Sequence, residues 1–291
     1  MDRNMCNEED PLLPDDIAFF RAHGWWISGN ILGETELDDL CYAFERYAAG
    51  ERDRRLPTNV LPQWSGAAHR GVRQADYLSL QMETVSEFVR RPLLPRIASM
   101  LTGAAQIRLF HDQLVRKDPS AAAYSNSTVG WHTDRAYWRS CTSSNMVTAW
   151  IPMQDTDEEM GPLAVWDGSH LWLDTDDLHN FNHPDLESVE TKFREAGRNV
   201  EVRVLPMRRG QVSFHHCRVV HGSYPNFSPR PRLGFAVHYQ DGLNRHVLPI
   251  AGGVEGAIHL NDMLCRTDSE GLPDYSDPDI CPLLWPRDAS D

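Results

Sequence analysis

The sequence lacks long apolar runs, paired cysteines and an excess of basic residues, and each absence excludes a class of protein. No apolar run approaches the ~18 residues that span a bilayer, and the acidic, polar stretch 1–16 has no apolar core of a secretory signal. The six cysteines form no C-x-x-C pair, which argues against a structural zinc site and a disulfide framework. We therefore expect a cytoplasmic protein without a membrane partner.

The charge balance narrows the range of partners further. Lys and Arg number 28 against 42 Asp and Glu, which gives a formal net charge of −14. Nucleic acids and anionic membranes bind clusters of basic side chains, so neither is expected as a partner. The 41% of hydrophobic residues is typical of a globular protein. We expect one domain over residues 1–291, with a core at about 15–240, a C-terminal extension at 241–291, and a small molecule as its partner.

The spacing of apolar residues indicates helices first and strands afterwards. Residues 34–49 and 83–101 each carry apolar side chains at helical spacing, while 50–74 is polar and predicts a long loop. Short β-like runs follow, separated by turn residues: Gln106–Arg116, Trp131–Tyr137, Asn145–Pro152, Pro162–Trp166, Val200–Leu205, Gly210–His216 and Arg232–Gln240. This order predicts a mostly β fold, a jelly roll or double-stranded β-helix, with N-terminal helices packed on the major sheet.

One H-x-D triplet has the character of a metal site. His132 and Asp134 lie in a strand-like run, and residues i and i+2 of a strand face the same side. A third ligand from a distant strand completes the two-histidine, one-carboxylate set of non-haem iron(II) oxygenases. A second triplet, His183-Pro184-Asp185, contains a proline that cannot donate to a sheet, so we interpret it as a surface turn.

A resemblance to a known family begins at His221. The pattern H-x-S-x-x-N-x-S starts there, and Arg232 follows eleven residues after the histidine. Together with the first triplet this resembles the phytanoyl-CoA dioxygenase family of Fe(II)- and 2-oxoglutarate-dependent oxygenases, over about residues 15–240. Further matches lie between the two halves: Trp150-Ile151-Pro152, Asp155, Gly161-Pro162-Leu163 and Gly168-Ser169-His170.

The resemblance implies a site and a reaction. His132, Asp134 and His221 correspond to the catalytic iron ligands, Arg232 to the residue that binds the far carboxylate of 2-oxoglutarate, and Ser223 and Trp150 to further cosubstrate contacts. The implied cofactors are Fe(2+), 2-oxoglutarate and O2. The implied reaction is hydroxylation of an unactivated C–H of a small-molecule metabolite with release of succinate and CO2.

The residues themselves agree with the assignment of Arg232. One face of the predicted strand reads Arg232, Gly234, Ala236, which leaves space beside a guanidinium for a small dicarboxylate. Arg230 is the rival, but it lies between two prolines in the approach loop. His215 and His216 are interpreted as structural neighbours of the site rather than ligands.

Two other functions remain possible at this point. A zinc-type metallohydrolase uses the same His/Asp/His set with a metal-bound water, although Arg232 then has no role. A non-catalytic jelly-roll binding protein is the other alternative. A coenzyme A substrate needs basic residues for its phosphates, and the charge of −14 does not favour one. We expect a smaller metabolite.

Overall fold

The structure is a computed structural model that describes residues 11–56, 71–120, 127–248 and 259–286. Its helices in these ranges are α1 Pro14–His23, α2 Glu34–Ala48, α3 Glu83–Val89, α4 Leu93–Thr102, α5 Asp134–Tyr137, α6 Leu186–Glu195 and α7 Asn261–Leu264. Its strands are β1 Trp25–Ile27, β2 Val72–Asp76, β3 Ile107–Lys117, β4 Val129–His132, β5 Val147–Pro152, β6 Ala164–Trp166, β7 Val202–Val204, β8 Ser213–His216, β9 His221–Ser223, β10 Arg232–Asp241 and β11 Leu283–Trp285.

The strands form two antiparallel sheets. The larger has seven strands in the order β1-β8-β5-β10-β3-β11, with β2 also paired to β3, and the smaller has the order β4-β9-β6-β7. Val115, Trp150 and Ala236 of the larger sheet pack in one apolar cluster with Leu163 and Val165 from around the smaller one. This arrangement confirms the predicted jelly roll.

Strand alternation divides the larger sheet into a structural face and a functional face. Val147, Ala149 and Ile151 on β5, like Phe235 and Val237 on β10, belong to the core that the helices cover. The helices contribute Leu37, Leu40, Phe44, Ile97 and Leu101 to the same core. Because side chains alternate along a strand, the residues between them face the other sheet. None of the helices among the described residues is long and apolar enough to span a membrane.

The predicted helix over 83–101 is two helices in the structure. α3 ends at Val89 and α4 begins at Leu93, with Pro92 between them. Proline removes a backbone donor and disfavours helical geometry in the residue before it, so the helix is interrupted there. The predicted loop 50–74 was also wrong at its end, where β2 pairs with β3; residues 57–70 lie outside the described ranges.

Part of the predicted C-terminal extension belongs to the folded unit. β11 pairs with β3. The Asn261 side chain donates to the Phe110 carbonyl at 2.7 Å and accepts from the Tyr77 hydroxyl at 2.5 Å. Residues 259–286 are therefore packed on the larger sheet, while the assignment of all of 1–291 to one domain stays a prediction.

Candidate metal centre and cosubstrate pocket

Two strands of the smaller sheet bring the predicted metal ligands together. His132 at the end of β4 is the register partner of His221 at the start of β9, and their ring centroids are 4.2 Å apart. The sequence predicted Asp134 on the same strand as His132, but in the structure Asp134 is the first residue of α5. The chain turns there because the Thr133 hydroxyl accepts from the Ala136 N–H at 3.2 Å and caps the helical turn.

The three side chains converge on one point. One ligand atom from each of His132, Asp134 and His221 lies within 4.8 Å of the other two, which no other group of three His, Cys, Asp or Glu achieves in the described ranges. All three residues are buried, with at most 8% of the surface of each residue exposed. The carboxylate and the imidazoles are therefore beside each other despite the helical turn between positions 132 and 134.

Hydrogen bonds aim both imidazoles at that point. The His132 Nδ1 donates to the Gly130 carbonyl at 2.8 Å, and the His221 Nδ1 donates to the Val219 carbonyl at 3.0 Å. Each ring thus keeps its Nε2 lone pair for a metal, which is the usual way that proteins orient a histidine ligand. Burial lowers the pKa of both rings, and the neighbouring His132 lowers that of His221 further.

Asp134 supplies the charge that the imidazoles lack. Burial alone raises the pKa of this carboxyl, but the adjacent His221 and His215 outweigh burial and hold its pKa well below the usual range. Two neutral nitrogen donors and one carboxylate, all buried, fit a ferrous ion and leave coordination positions open.

Thr148 links the carboxylate to the larger sheet. Its Oγ1 donates to the Asp134 Oδ2 at 2.6 Å, and the His238 ring nitrogen Nδ1 lies 2.8 Å from the same hydroxyl oxygen. The His215 Nε2 lies 3.4 Å from the Asp134 Oδ2. These contacts fix the carboxylate before any metal binds.

We expect Thr148→Val to weaken iron binding by roughly 10- to 100-fold, the usual loss when a residue that orients a metal ligand is replaced. Valine has the shape of threonine but cannot donate to Asp134, so the fold is retained. Iron content after dialysis against graded Fe(II) measures the effect. Thr156→Val is the control, because its hydroxyl bonds the Met207 carbonyl instead; equal losses in both variants would contradict the role of Thr148.

Arg232 lies in the same cavity as the metal ligands. Arg232 as a whole residue is 3% exposed. Its guanidinium donates to the Gly161 carbonyl, and its Cζ lies 5.1 Å from the Trp150 ring centroid. The Nε of Arg232 has no hydrogen-bond partner in the structure. Burial lowers the pKa of Arg232 to about 10. Arg230, the rival in the sequence, is exposed. A buried guanidinium with an unused N–H is suited to bind a carboxylate.

Lys117 is a buried basic residue next to this site that the sequence did not reveal. It is the register partner of Arg232 on β3 and is fully buried. Its ammonium group donates to the Ser223 hydroxyl and the Tyr224 carbonyl, each at 2.5 Å. Burial, and then the charge of Arg232, hold the pKa of Lys117 well below its usual value. No carboxylate of the described residues pairs with Lys117 or Arg232. An anionic ligand can supply the missing negative charge.

Ser223 and Trp150, to which the resemblance assigned further cosubstrate contacts, lie near the metal ligands, and those contacts stay predictions. Both line the cavity that contains the triad and Arg232. The Trp150 ring occupies the space beside Gly234, where an added Cβ would lie 2.2 Å from Trp150 Cζ2. The space that the sequence assigned to the dicarboxylate beside Gly234 is therefore filled by indole, and Gly234 serves to admit that ring.

The second H-x-D triplet has the structural role expected of it. His183 is exposed, and the Asp185 side chain caps α6 by accepting from the Ser188 N–H at 3.0 Å. Its carboxylate belongs to a helix N-terminus, and its histidine faces solvent. Sequence context, not the triplet itself, distinguished the two copies.

A larger cavity opens beside the triad. Its volume is about 320 Å³, and its described lining is Gln74, Asp76, His111, Gln113, His132, Asp134, Tyr137, Trp138, Phe181, Asn182, His238, His259 and Leu260. Tyr137 and Trp138 contribute aromatic rings to this lining. Trp131 instead packs in the core against Trp166, at 5.4 Å between ring centroids.

Buried histidines give the protein a pH-dependent stability. Burial lowers the pKa of both His216 and His238 to about 3, whereas an unfolded histidine titrates near about 6.5. The unfolded chain therefore binds more protons between these values, so stability falls as the pH drops below about 6.5. The loss is up to about 1.4 kcal/mol per pH unit for each residue. Urea denaturation of the metal-free protein between pH 7 and 5 measures it. His216→Gln should lessen the slope, and an unchanged slope would contradict this assignment.

The structure combines a jelly roll with two imidazoles and one carboxylate around a single point. A buried guanidinium that has no carboxylate partner among the described residues lies in the same cavity. These features define a non-haem iron oxygenase. The family model described as phytanoyl-CoA dioxygenase (PhyH) matches residues 20–234, and the chain belongs to that family. It is accordingly an Fe(II)- and 2-oxoglutarate-dependent dioxygenase, as the resemblance implied. Family membership disfavours the metallohydrolase and the non-catalytic alternatives.

Individual relatives are similar at moderate identity. Peroxisomal phytanoyl-CoA dioxygenase of Rattus norvegicus is 23% identical over 293 residues, which cover 89% of this chain and 84% of that protein. The 1-deoxypentalenic acid 11-beta-hydroxylase of Streptomyces exfoliatus is 29% identical over 76% of this chain and 78% of that one. The 2-oxoglutarate-dependent carbocyclase SnoK from nogalamycin biosynthesis superposes with a TM-score of 0.69 at 24% identity, covering 94% and 96% of the two chains. That likeness confirms the fold.

Proposed function

We propose that His132, Asp134 and His221 hold the iron, and that Arg232 binds the far carboxylate of 2-oxoglutarate. The observation that carries this proposal is one cavity lined by the three ligands, Arg232, Trp150 and Ser223. Arg232 has an unused N–H, and Lys117 donates to Ser223, which lines the same cavity. The guanidinium of Arg232 provides the charge and the free donor that one carboxylate of a dicarboxylate requires.

The protein's own groups prepare the site for the cosubstrate. Bound iron supplies the redox chemistry that couples decarboxylation of 2-oxoglutarate by dioxygen to oxidation of a C–H bond. The backbone carbonyls of Gly130 and Val219 accept from the Nδ1–H of the two imidazoles and so direct their Nε2 atoms to the metal position. Burial lowers the pKa of both rings and keeps them neutral. Trp150 lies against Arg232 and excludes water from the guanidinium, which strengthens its interaction with a carboxylate.

We propose hydroxylation of a small-molecule metabolite that is not a coenzyme A thioester. The larger cavity next to the triad is where that molecule would bind, and none of its described lining residues is Lys or Arg. Phosphate groups of coenzyme A would have no cationic partner among those residues. The rat relative is named for an acyl-CoA and the Streptomyces relative for a free acid, so the family accommodates both kinds of substrate.

A metabolite screen tests the function. Purified protein with Fe(II), 2-oxoglutarate and oxygen is expected to form succinate slowly alone and faster with a true substrate, with one hydroxylated product for each extra succinate. Turnover that zinc supports without oxygen would contradict the proposal and favour a hydrolase.

A further inference from the structure

Three histidines outside the metal site line the larger cavity. They are His111 on β3, His238 on β10, and His259 before α7, and we refer to them as the histidine cluster. The His111 and His238 rings stack at 4.9 Å with an interplanar angle of 14°, and His259 meets His111 edge-on at 5.5 Å. The pairing of His238 with His111 across two strands brings them together. The structure fixes what each ring offers to the cavity.

His238 offers a hydrogen-bond acceptor. The single hydroxyl hydrogen of Thr148 is donated to Asp134, so Thr148 Oγ1 accepts from the His238 Nδ1–H. Burial lowers the pKa of His238 to about 3, which keeps the ring neutral. Its Nε2 is therefore an unprotonated lone pair.

His259 offers a donor. Its Nδ1 accepts the backbone N–H of Asn261 at 3.2 Å, so the ring proton is on Nε2. Burial, and then the neighbouring His111 and His238, hold the pKa of His259 well below its usual value. The ring is neutral and presents Nε2–H.

His111 offers a second acceptor. Its Nε2 donates to the Asp76 Oδ1 at 2.9 Å, and Gln113 donates to the same oxygen at 2.7 Å. The ring is 8% exposed, and its Nδ1 is buried without a hydrogen-bond partner in the structure. An unpaired buried nitrogen is costly unless a ligand satisfies it.

The charges around the cluster favour an uncharged ligand. No Lys or Arg is present among the described lining residues to bind an anion. Of the two carboxylates, Asp134 is a proposed metal ligand, and the Asp76 Oδ1 already accepts from two side chains. Tyr137, Trp138 and Phe181 provide apolar ring surface for the body of the molecule.

We propose that the histidine cluster recognises the substrate, and that the substrate is an uncharged ring compound with several hydroxyl groups. Two hydroxyls donate to His238 Nε2 and His111 Nδ1, and a substrate oxygen accepts from His259 Nε2–H. The inference rests on the proposed function, because it places the substrate beside the same metal site.

Calorimetric titration with ring compounds of one size tests the class. The probes are 1,3,5-cyclohexanetriol, cyclohexanol, cyclohexanecarboxylate and cyclohexylamine, each added anaerobically to protein with Fe(II) and 2-oxoglutarate. The triol is expected to bind roughly 3- to 10-fold more tightly than cyclohexanol for each extra satisfied hydrogen bond. Tighter binding of the carboxylate or the amine, or no advantage of the triol, including no detectable binding, would overturn the proposal.

A variant isolates the contribution of the cluster. His111→Gln keeps an N–H for Asp76 but removes the Nδ1 acceptor, so triol affinity should fall roughly 3- to 10-fold while cyclohexanol affinity changes less. His23→Gln is the matched control, since His23 pairs with Asp167 away from the cavity. Equal triol affinity in the two variants would contradict the proposal.

Succinate formation without any substrate distinguishes a failure of the proposed function from a failure of the inference about the substrate. It depends on the metal and 2-oxoglutarate sites but not on the Nδ1 atom of His111, so His111→Gln should retain it. Its absence from the wild type would contradict the proposed function. Its presence without preference for the triol would contradict only the inference about the substrate.

Discussion

His221→Ala is expected to bind Fe(II) at least about 100-fold more weakly than wild type and to form no measurable succinate. Loss of a residue that merely orients a ligand costs about 10- to 100-fold, and this variant loses a ligand itself. Only His132 and Asp134 would remain to hold the ion. Iron retained after gel filtration and succinate formed from 2-oxoglutarate both measure the effect.

The second triplet provides a matched control for this variant. His183→Ala removes an exposed histidine of the other H-x-D copy, so its iron content and activity should equal those of the wild type. Equal iron retention by His221→Ala and His183→Ala would mean that the metal binds elsewhere.

Arg232→Gln is expected to raise the KM for 2-oxoglutarate by about 100-fold or more, with a smaller change in kcat at saturation. Removing one partner of a buried ion pair costs about 3–5 kcal/mol, and each 1.4 kcal/mol is about tenfold in affinity. Lys117 remains in the variant, but it is a point donor that already bonds Ser223 and Tyr224. Initial rates over a range of 2-oxoglutarate concentrations measure KM.

Arg230→Gln is the control for this experiment. Arg230 is exposed and lies two residues before Arg232 in the same approach to β10. Its replacement should leave the KM for 2-oxoglutarate unchanged. A larger KM change in Arg230→Gln than in Arg232→Gln would overturn the assignment of the anchoring residue.

Local patterns in the sequence sufficed to predict the fold class and to select the three side chains that the structure brings together. Alternation along β10 indicated a strand with two different faces, and the apolar stripe of α2 indicated a helix. The resemblance around His221 and Arg232 assigned a role to both distal residues, and those roles stay predictions. The path between His132 and Asp134 was predicted wrongly, since the capping hydroxyl of Thr133 starts a helical turn where a continuous strand was expected.

Residues whose roles depend on pairing between distant strands escaped the sequence analysis. Lys117 ends a strand of ordinary composition, and only its register with Arg232 shows that two cationic side chains are buried together. The histidine cluster likewise joins positions 111, 238 and 259, which share no motif. Their chemistry follows from which hydrogen-bond partner each ring nitrogen has, and sequence spacing does not contain that information.

A crystal structure of the protein grown anaerobically with Fe(II) and 2-oxoglutarate tests the central claim most directly. An iron anomalous peak is predicted within bonding distance of the Nε2 atoms of His132 and His221 and of the Asp134 carboxylate, with one 2-oxoglutarate carboxylate on Arg232. Iron held by other side chains, or 2-oxoglutarate bound away from Arg232, would contradict the account.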